Sequence, residues 1–368
     1  MAFDRRLVEY FDWGLLCVVL LLSLVGLVAL YSAVSAGTDS GQGAIITKQL
    51  VWYGIGAVVM VVFFSFSYKI LEQYAEFIYV GCVGLLVAVL AYGRCVGGSQ
   101  RWIALGPISI QPSEIAKLVV VIMLARHYSK VANERGLTWR ELVNPLIITL
   151  IPFLLIVKQP DLGTAMMILL IAGSMTLFVK IEKRTLIGIL TCCIVSVPMV
   201  WFFLKGYQKQ RILTFLNPDR DPLGAGYHII QSKIAIGSGM LSGRGFLQGP
   251  QNALSFLPEQ HTDFIFSVIA EEWGFIGSFV LILMFLFLII WGLNIANGCR
   301  DNFGTILAVG ITALISWQVV INIGMVMGLM PVVGVPLPFV SYGGSSIVTM
   351  MICIGILMNI SMRRFQFK

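Results

Sequence analysis

Residues 13–35, WGLLCVVLLLSLVGLVALYSAVS, contain no charged side chain and no proline. A run of that length crosses a hydrocarbon layer of roughly 30 Å as a helix rising about 1.5 Å per residue. It is too long for the apolar core of a cleavable signal and lacks a small-residue cleavage pattern, so it reads as a retained span. Comparable apolar runs recur at 48–66, 74–93, 112–128, 143–157, 163–179, 185–204, 264–291, 304–329 and 339–360. In lipid, backbone polar groups must pair within the segment, so these runs are helices and not open sheet. The expected fold is all-α and polytopic: a ten-helix transmembrane bundle forming one domain over 1–368. A long extracytoplasmic loop, about 205–263, joins the seventh and eighth spans. With 58% hydrophobic and 12% charged residues, a soluble globular domain is excluded.

The net charge of +7 sits mainly beside the spans, where Lys and Arg set orientation, so no nucleic-acid partner follows. With the N-terminus inside, fourteen basic residues fall on the inner side, among them Arg126, Lys130, Lys180, Lys183 and Arg300. The short outer segments hold only Lys48, Arg94, Arg101 and Lys158. Both termini are therefore expected in the cytoplasm, with the long loop outside. Seven cysteines show neither a CxxC pair nor a metal-ligand spacing, so neither a disulfide framework nor a metal site is expected.

The outer polar residues carry the candidate chemistry. The segment 255–275, SFLPEQHTDFIFSVIAEEWGF, brings Glu259, His261 and Asp263 to the lip of a span that also holds Glu271 and Glu272. Acids at that depth are costly without a partner or a task. Asp263 is either a first-turn or capping acid favoured by the helix dipole, or the catalytic centre. Asp263 and Glu271 stand eight residues apart, roughly 12 Å along a helix, too far for a close carboxylate pair. In QPSEIAKL, Glu114 and Lys117 share one helix face and form either an internal ion pair or a cation facing an anionic substrate. Arg101 in GSQRWIALG and Arg211 in YQKQRI are further cations suited to a pyrophosphate. Asp161 in KQPDLGTA either caps the following helix or belongs to the same cavity. The glycines between 237 and 249 lack a phosphate-loop pattern and read as flexible loop. The run GLMPVVGVPLPFVSYGGSS reads as a broken helix or re-entrant turn.

Taken in order, GSQRWIALG, IQPSEIAKL, KQPDLGTA, YQKQRI, DPLGAGYHIIQSKIAIGSG, FLPEQHTDFIF and GLMPVVGVPLPFVSYGGSS resemble the SEDS family of bacterial cell-wall proteins. The fifth motif is closer to the RodA (elongation) branch than to the FtsW (division) branch. The resemblance implies a peptidoglycan glycosyltransferase that polymerises lipid II outside the cytoplasmic membrane, with Asp263 at the position of the family's essential acid. Arg101, Lys117 and Arg211 are the candidates for stabilising the pyrophosphate, and Glu114, Asp161, His261 and Glu259 complete the candidate substrate-binding set. A class B penicillin-binding protein transpeptidase and wall-elongation scaffold proteins are the implied partners. No cofactor is assigned; a divalent cation beside the pyrophosphate is conceivable, but no carboxylate cluster is dedicated to one. Two rivals stand against the enzyme: a lipid II flippase, which needs charge at mid-membrane, and a non-catalytic scaffold, which leaves the converging acid and bases unexplained.

Overall fold

The structure is a computed structural model and describes residues 11–35, 42–96, 99–105, 108–131, 136–203, 206–217, 225–253 and 260–363. Its helices are α1 (Trp13–Ser35), α2 (Gln42–Ser65), α3 (Lys69–Tyr92), α4 (Pro112–Val131), α5 (Trp139–Lys158), α6 (Leu162–Phe178), α7 (Lys183–Phe203), α8 (Gly206–Leu216), α9 (Ala225–Ser238), α10 (Pro250–Ala253), α11 (Ile265–Gly298), α12 (Asn302–Val326) and α13 (Gly344–Arg363). Seven are long and apolar enough to cross a membrane, and α6 is a shorter apolar helix. Among the other long helices, α4 carries Glu114, Lys117, Arg126 and Lys130 in 20 residues.

Local chemistry sets the helix ends. Glu141 Oε2 accepts both the N–H and the hydroxyl of Thr138 at 2.8 Å, closing the start of α5. Asp301 Oδ2 accepts from Gly304 N at 3.1 Å at the start of α12. At the far end of α2, the amide of Asn359 on α13 donates to the carbonyls of Phe63 (2.8 Å), Phe64 (3.1 Å) and Phe66. Those carbonyls belong to a helix end with no further turn to pair with.

At the centre lie α12, α13 and α4, each buried over most of its length. α13 packs closely on α2 because Gly355 lets the backbones approach: a Cβ there would lie 2.7 Å from the Met60 carbonyl. Between α3 and α4, a three-stranded antiparallel sheet of β1 (Arg94–Val96), β2 (Ser99–Leu105) and β3 (Ile108–Ile110) is added to the all-α expectation. Hydropathy gives no sign of it, since strands this short pair outside the apolar runs.

Flexible loop is the wrong description of 237–249. α11 is broken at Gly274, where φ is 65° and ψ −160°. The i→i−4 bonds from Phe275 to Glu271 and from Ile276 to Glu272 would cross that break. Instead Phe275 N and Ile276 N donate to the carbonyls of Met240 and Leu241, at 2.8 and 3.1 Å. The freed carbonyls of Glu271 and Glu272 accept from Arg244 N and Gly245 N, each at 3.0 Å. The loop thus replaces these two helix bonds and satisfies the four groups they would have joined. Gly243, at φ +82°, sits where any side chain would collide with the Glu272 carbonyl. Glu271 adds a second tether, accepting from Gln251 N (2.9 Å) and Asn252 N (3.2 Å), while Glu272 accepts from Ser32 on α1 and from Asn252 Nδ2 (3.2 Å).

Candidate active site

At one end of the bundle α4, α6, α11 and α13 begin and α12 ends. Polar contacts tie these ends together. Gln111 N donates to Ser345 Oγ at 3.0 Å, joining α4 to α13, and Tyr342 N donates to the His261 carbonyl at 2.9 Å, joining α13 to α11. Gln111 Nε2 and Ser113 Oγ reach Asp161 Oδ2 at 3.1 and 3.3 Å, joining α4 to α6. The positive ends of four helix dipoles therefore surround one corner, an arrangement suited to an anion.

Between α12 and α13 the chain runs without helix from 327 to 343 as a strap across this corner. Its apolar side chains Val335, Leu337, Phe339 and Val340 are buried. The prolines at 331, 336 and 338 forbid a regular helix here, as the sequence suggested. The strap lies close enough to α6 that a Cβ on Gly163 would stand 2.5 Å from the Val333 carbonyl.

Asp263 occupies the turn before α11. The N-cap residue of that helix is Phe264, so Asp263 is not the cap. Its carboxylate faces the strap: a Cβ on Gly334, whose φ is +73°, would lie 3.3 Å from Asp263 Oδ2. Lys117 is buried, 1% exposed, and its Nζ lies 2.8 Å from Glu114 Oε1 and 3.3 Å from Gln318 Oε1. The internal ion pair is therefore present. Glu114 Oε2 is buried with no hydrogen-bond partner among the described residues.

Gln318 and Asn322, one turn apart on α12, extend the connection. Gln318 Nε2 donates to the Pro336 carbonyl at 3.0 Å and to Ser346 Oγ at 3.3 Å. Asn322 Nδ2 donates to the carbonyls of Asp263 (3.0 Å) and Val335 (2.7 Å). Both amides are fully buried. The sequence reading passed over them, although two amides four apart in the apolar run ISWQVVINIGMV were a usable signal.

Asp161 both caps α6, accepting from Thr164 N at 3.3 Å and Thr164 Oγ1 at 2.9 Å, and pairs with Arg101 at 3.8 Å. Arg101 also donates to the Pro160 carbonyl. The His261 ring centroid stands 5.8 Å from that of Tyr342, whose phenol burial pushes above its ordinary pKa. Arg211 lies apart on α8, and no ion pair of it is seen among the described residues. Glu259 lies outside the described residues. No group of three or more His, Cys, Asp or Glu that could hold a metal occurs among the described residues.

Apolar membrane-length helices enclosing a polar corner at one end define a multi-pass helical membrane protein. Residues 12–366 match the cell cycle protein model FtsW/RodA/SpoVE, and the chain belongs to that family. It is 44% identical to the peptidoglycan glycosyltransferase MrdB of Escherichia coli K12 over 94% of this chain and 93% of that one. It is 33% identical to the peptidoglycan glycosyltransferase RodA of Treponema pallidum, over 98% and 99% of the two chains. Among solved structures it resembles a chain from work on the structural coordination of polymerization and crosslinking by a peptidoglycan synthase complex (TM-score 0.82, 30% identity, 97% and 99% coverage). It also resembles the rod shape determining protein RodA of Thermus thermophilus (TM-score 0.71, 27% identity, 97% and 98% coverage).

Proposed function

We propose that this chain is a peptidoglycan glycosyltransferase of cell elongation that polymerises lipid II on the outer face of the cytoplasmic membrane. All ten long helices cross the membrane in this reading, and both termini are cytoplasmic. The observation that carries it is the placing of the Asp263 carboxylate against Gly334 of the strap, at the corner where four helix N-termini meet. The 44% identity to a peptidoglycan glycosyltransferase supports reading that corner as the place of glycosyl transfer.

In this mechanism Asp263 takes the proton from the GlcNAc 4-hydroxyl of the acceptor as that oxygen attacks C1 of the donor MurNAc. The C1–O bond to the pyrophosphate breaks, and the anomeric centre inverts. A positioned general base contributes about 10²–10⁴-fold to such a step. Helix dipoles and the cations Lys117, Arg101 and Arg211 oppose the charge that builds on the departing pyrophosphate. Lys117 and Arg101 are already held by Glu114 and Asp161, so they act as oriented donors, while Arg211 supplies charge from the neighbouring loop helix. A class B penicillin-binding protein is the expected transpeptidase partner, supported by the resemblance to a peptidoglycan synthase complex, and wall-elongation scaffold proteins are the wider assembly.

The deciding experiment is polymerisation of purified lipid II by the full chain with its transpeptidase partner chemically blocked. Wild type makes glycan strands and Asp263→Ala makes none. Strands from Asp263→Ala at the wild-type rate remove Asp263 from the mechanism. Transfer of lipid II across liposomes without strand formation replaces the enzyme by a flippase.

A further inference from the structure

We infer that Asn322 is a positioning residue that sets the distance between the Asp263 carboxylate and the strap; this rests on Asp263 being the base. One amide group holds two carbonyls from different segments, that of Asp263 at 3.0 Å and that of Val335 at 2.7 Å. Gly334, next to Val335, is the strap residue against the carboxylate: a Cβ added there would stand 3.3 Å from Asp263 Oδ2, a tight contact. The Asn322 amide therefore fixes both sides of that gap through one rigid, planar group. Its Oδ1 is buried with no hydrogen-bond partner among the described residues. A buried acceptor left so is costly, and an apolar side chain of the same shape would relieve it. Asparagine's presence here follows from its two donors.

Gln318, one turn earlier, repeats the device. It holds the neighbouring Pro336 carbonyl at 3.0 Å while its Oε1 accepts from Lys117 at 3.3 Å. The strap is thus suspended from α12 by consecutive carbonyls, and α12 also carries the contact to the buried cation. Neither amide touches the reacting atoms. Both act through backbone carbonyls, and losing either lets the base drift from its place. A misplacement of about 1 Å costs on the order of 10²-fold in rate.

Stability and positioning are separated by a matched control. Asn359 is also fully buried and also holds several carbonyls through one amide, but it does so at the far end of α2. The full chain carrying Asn322→Leu, Asn359→Leu, Gly334→Ala or Asp263→Asn is assayed on purified lipid II for kcat, KM and Tm. Asn359→Leu lowers Tm and leaves kcat within about two-fold of wild type, well inside the spread of one tenfold step. Asn322→Leu lowers kcat by about 10²-fold with KM little changed. Gly334→Ala, which reaches the carboxylate from the strap side, lowers kcat in the same way and serves where Asn322→Leu does not fold. If Asp263→Asn is inactive while Asn322→Leu or Gly334→Ala keeps the wild-type kcat, the positioning role is overturned and the base stands. If Asp263→Asn polymerises normally, the base falls and the positioning role with it.

Discussion

Replacing Lys117 by methionine removes the positive member of a pair that has almost no access to water. Lys117 and Glu114 are 1% and 4% exposed, and their charged atoms stand 2.8 Å apart. At an effective dielectric constant of about 20, the gross attraction is roughly 6 kcal/mol. Desolvation costs several kcal/mol for each ion, so the intact pair contributes little net stability. Breaking it is another matter, because it leaves the Glu114 carboxyl buried without its cation, and its Oε2 has no hydrogen-bond partner among the described residues. The single variant Lys117→Met therefore costs about 3–5 kcal/mol. Gln318 also loses a donor to Oε1, adding roughly 1 kcal/mol. The double variant Glu114→Leu with Lys117→Met is expected within about 1–2 kcal/mol of wild type, since an apolar replacement of similar volume is close to neutral. Denaturant titration in mixed micelles, run as a double-mutant cycle, measures all three. Singles that each cost less than about 1 kcal/mol, or a double equal to their sum, refute a buried and coupled pair. The double variant should remain inactive on lipid II if Lys117 also stabilises the leaving pyrophosphate.

Asp161→Ala should destabilise more than Arg101→Ala. It orphans donors on Gln111, Ser113 and Thr164, at roughly 1–3 kcal/mol for each buried group, whereas losing Arg101 leaves Asp161 with those three donors; melting curves of both variants rank them. Gly243→Ala should free the 239–249 loop from the break in α11, because φ is +82° and the new methyl meets the Glu272 carbonyl; limited proteolysis between Met240 and Leu247 should become fast. Arg211→Ala, at a half-buried position, should leave stability within about 1 kcal/mol while lowering kcat/KM for lipid II; an unchanged kcat/KM removes Arg211 from the site.

The long helices were legible because a bilayer allows only one way to pair a backbone, and the first of them, 13–35, was bounded to the residue. The Glu114–Lys117 pair was legible from three-residue spacing alone. Other features were not, for separate physical reasons. The break at Gly274 hides inside a continuous apolar run, since hydropathy carries no record of which carbonyl a given N–H meets. The glycines at 239 and 243 looked like freedom when they mark contact, because close approach and flexibility both favour the smallest residue. Asp263 drew notice as a charge near a helix start, but its neighbour Gly334 lies 71 positions further along the chain. Asn322 and Gln318 carry no charge, and an amide in a span is easily taken for helix packing.

The position of α13 also bears on how the protein is made. It is the last described helix to leave the ribosome, yet 89% of its most apolar window is buried inside the bundle. Until it arrives, α2 lacks its closest packing partner, Gln111 N lacks Ser345, and the carbonyls at the end of α2 lack Asn359. The earlier helices must therefore wait in the bilayer with polar groups unpaired, shielded by insertion machinery or by one another. Chains stalled or cut before Gly344 should be cleared by membrane proteases and should not accumulate as partly folded bundles.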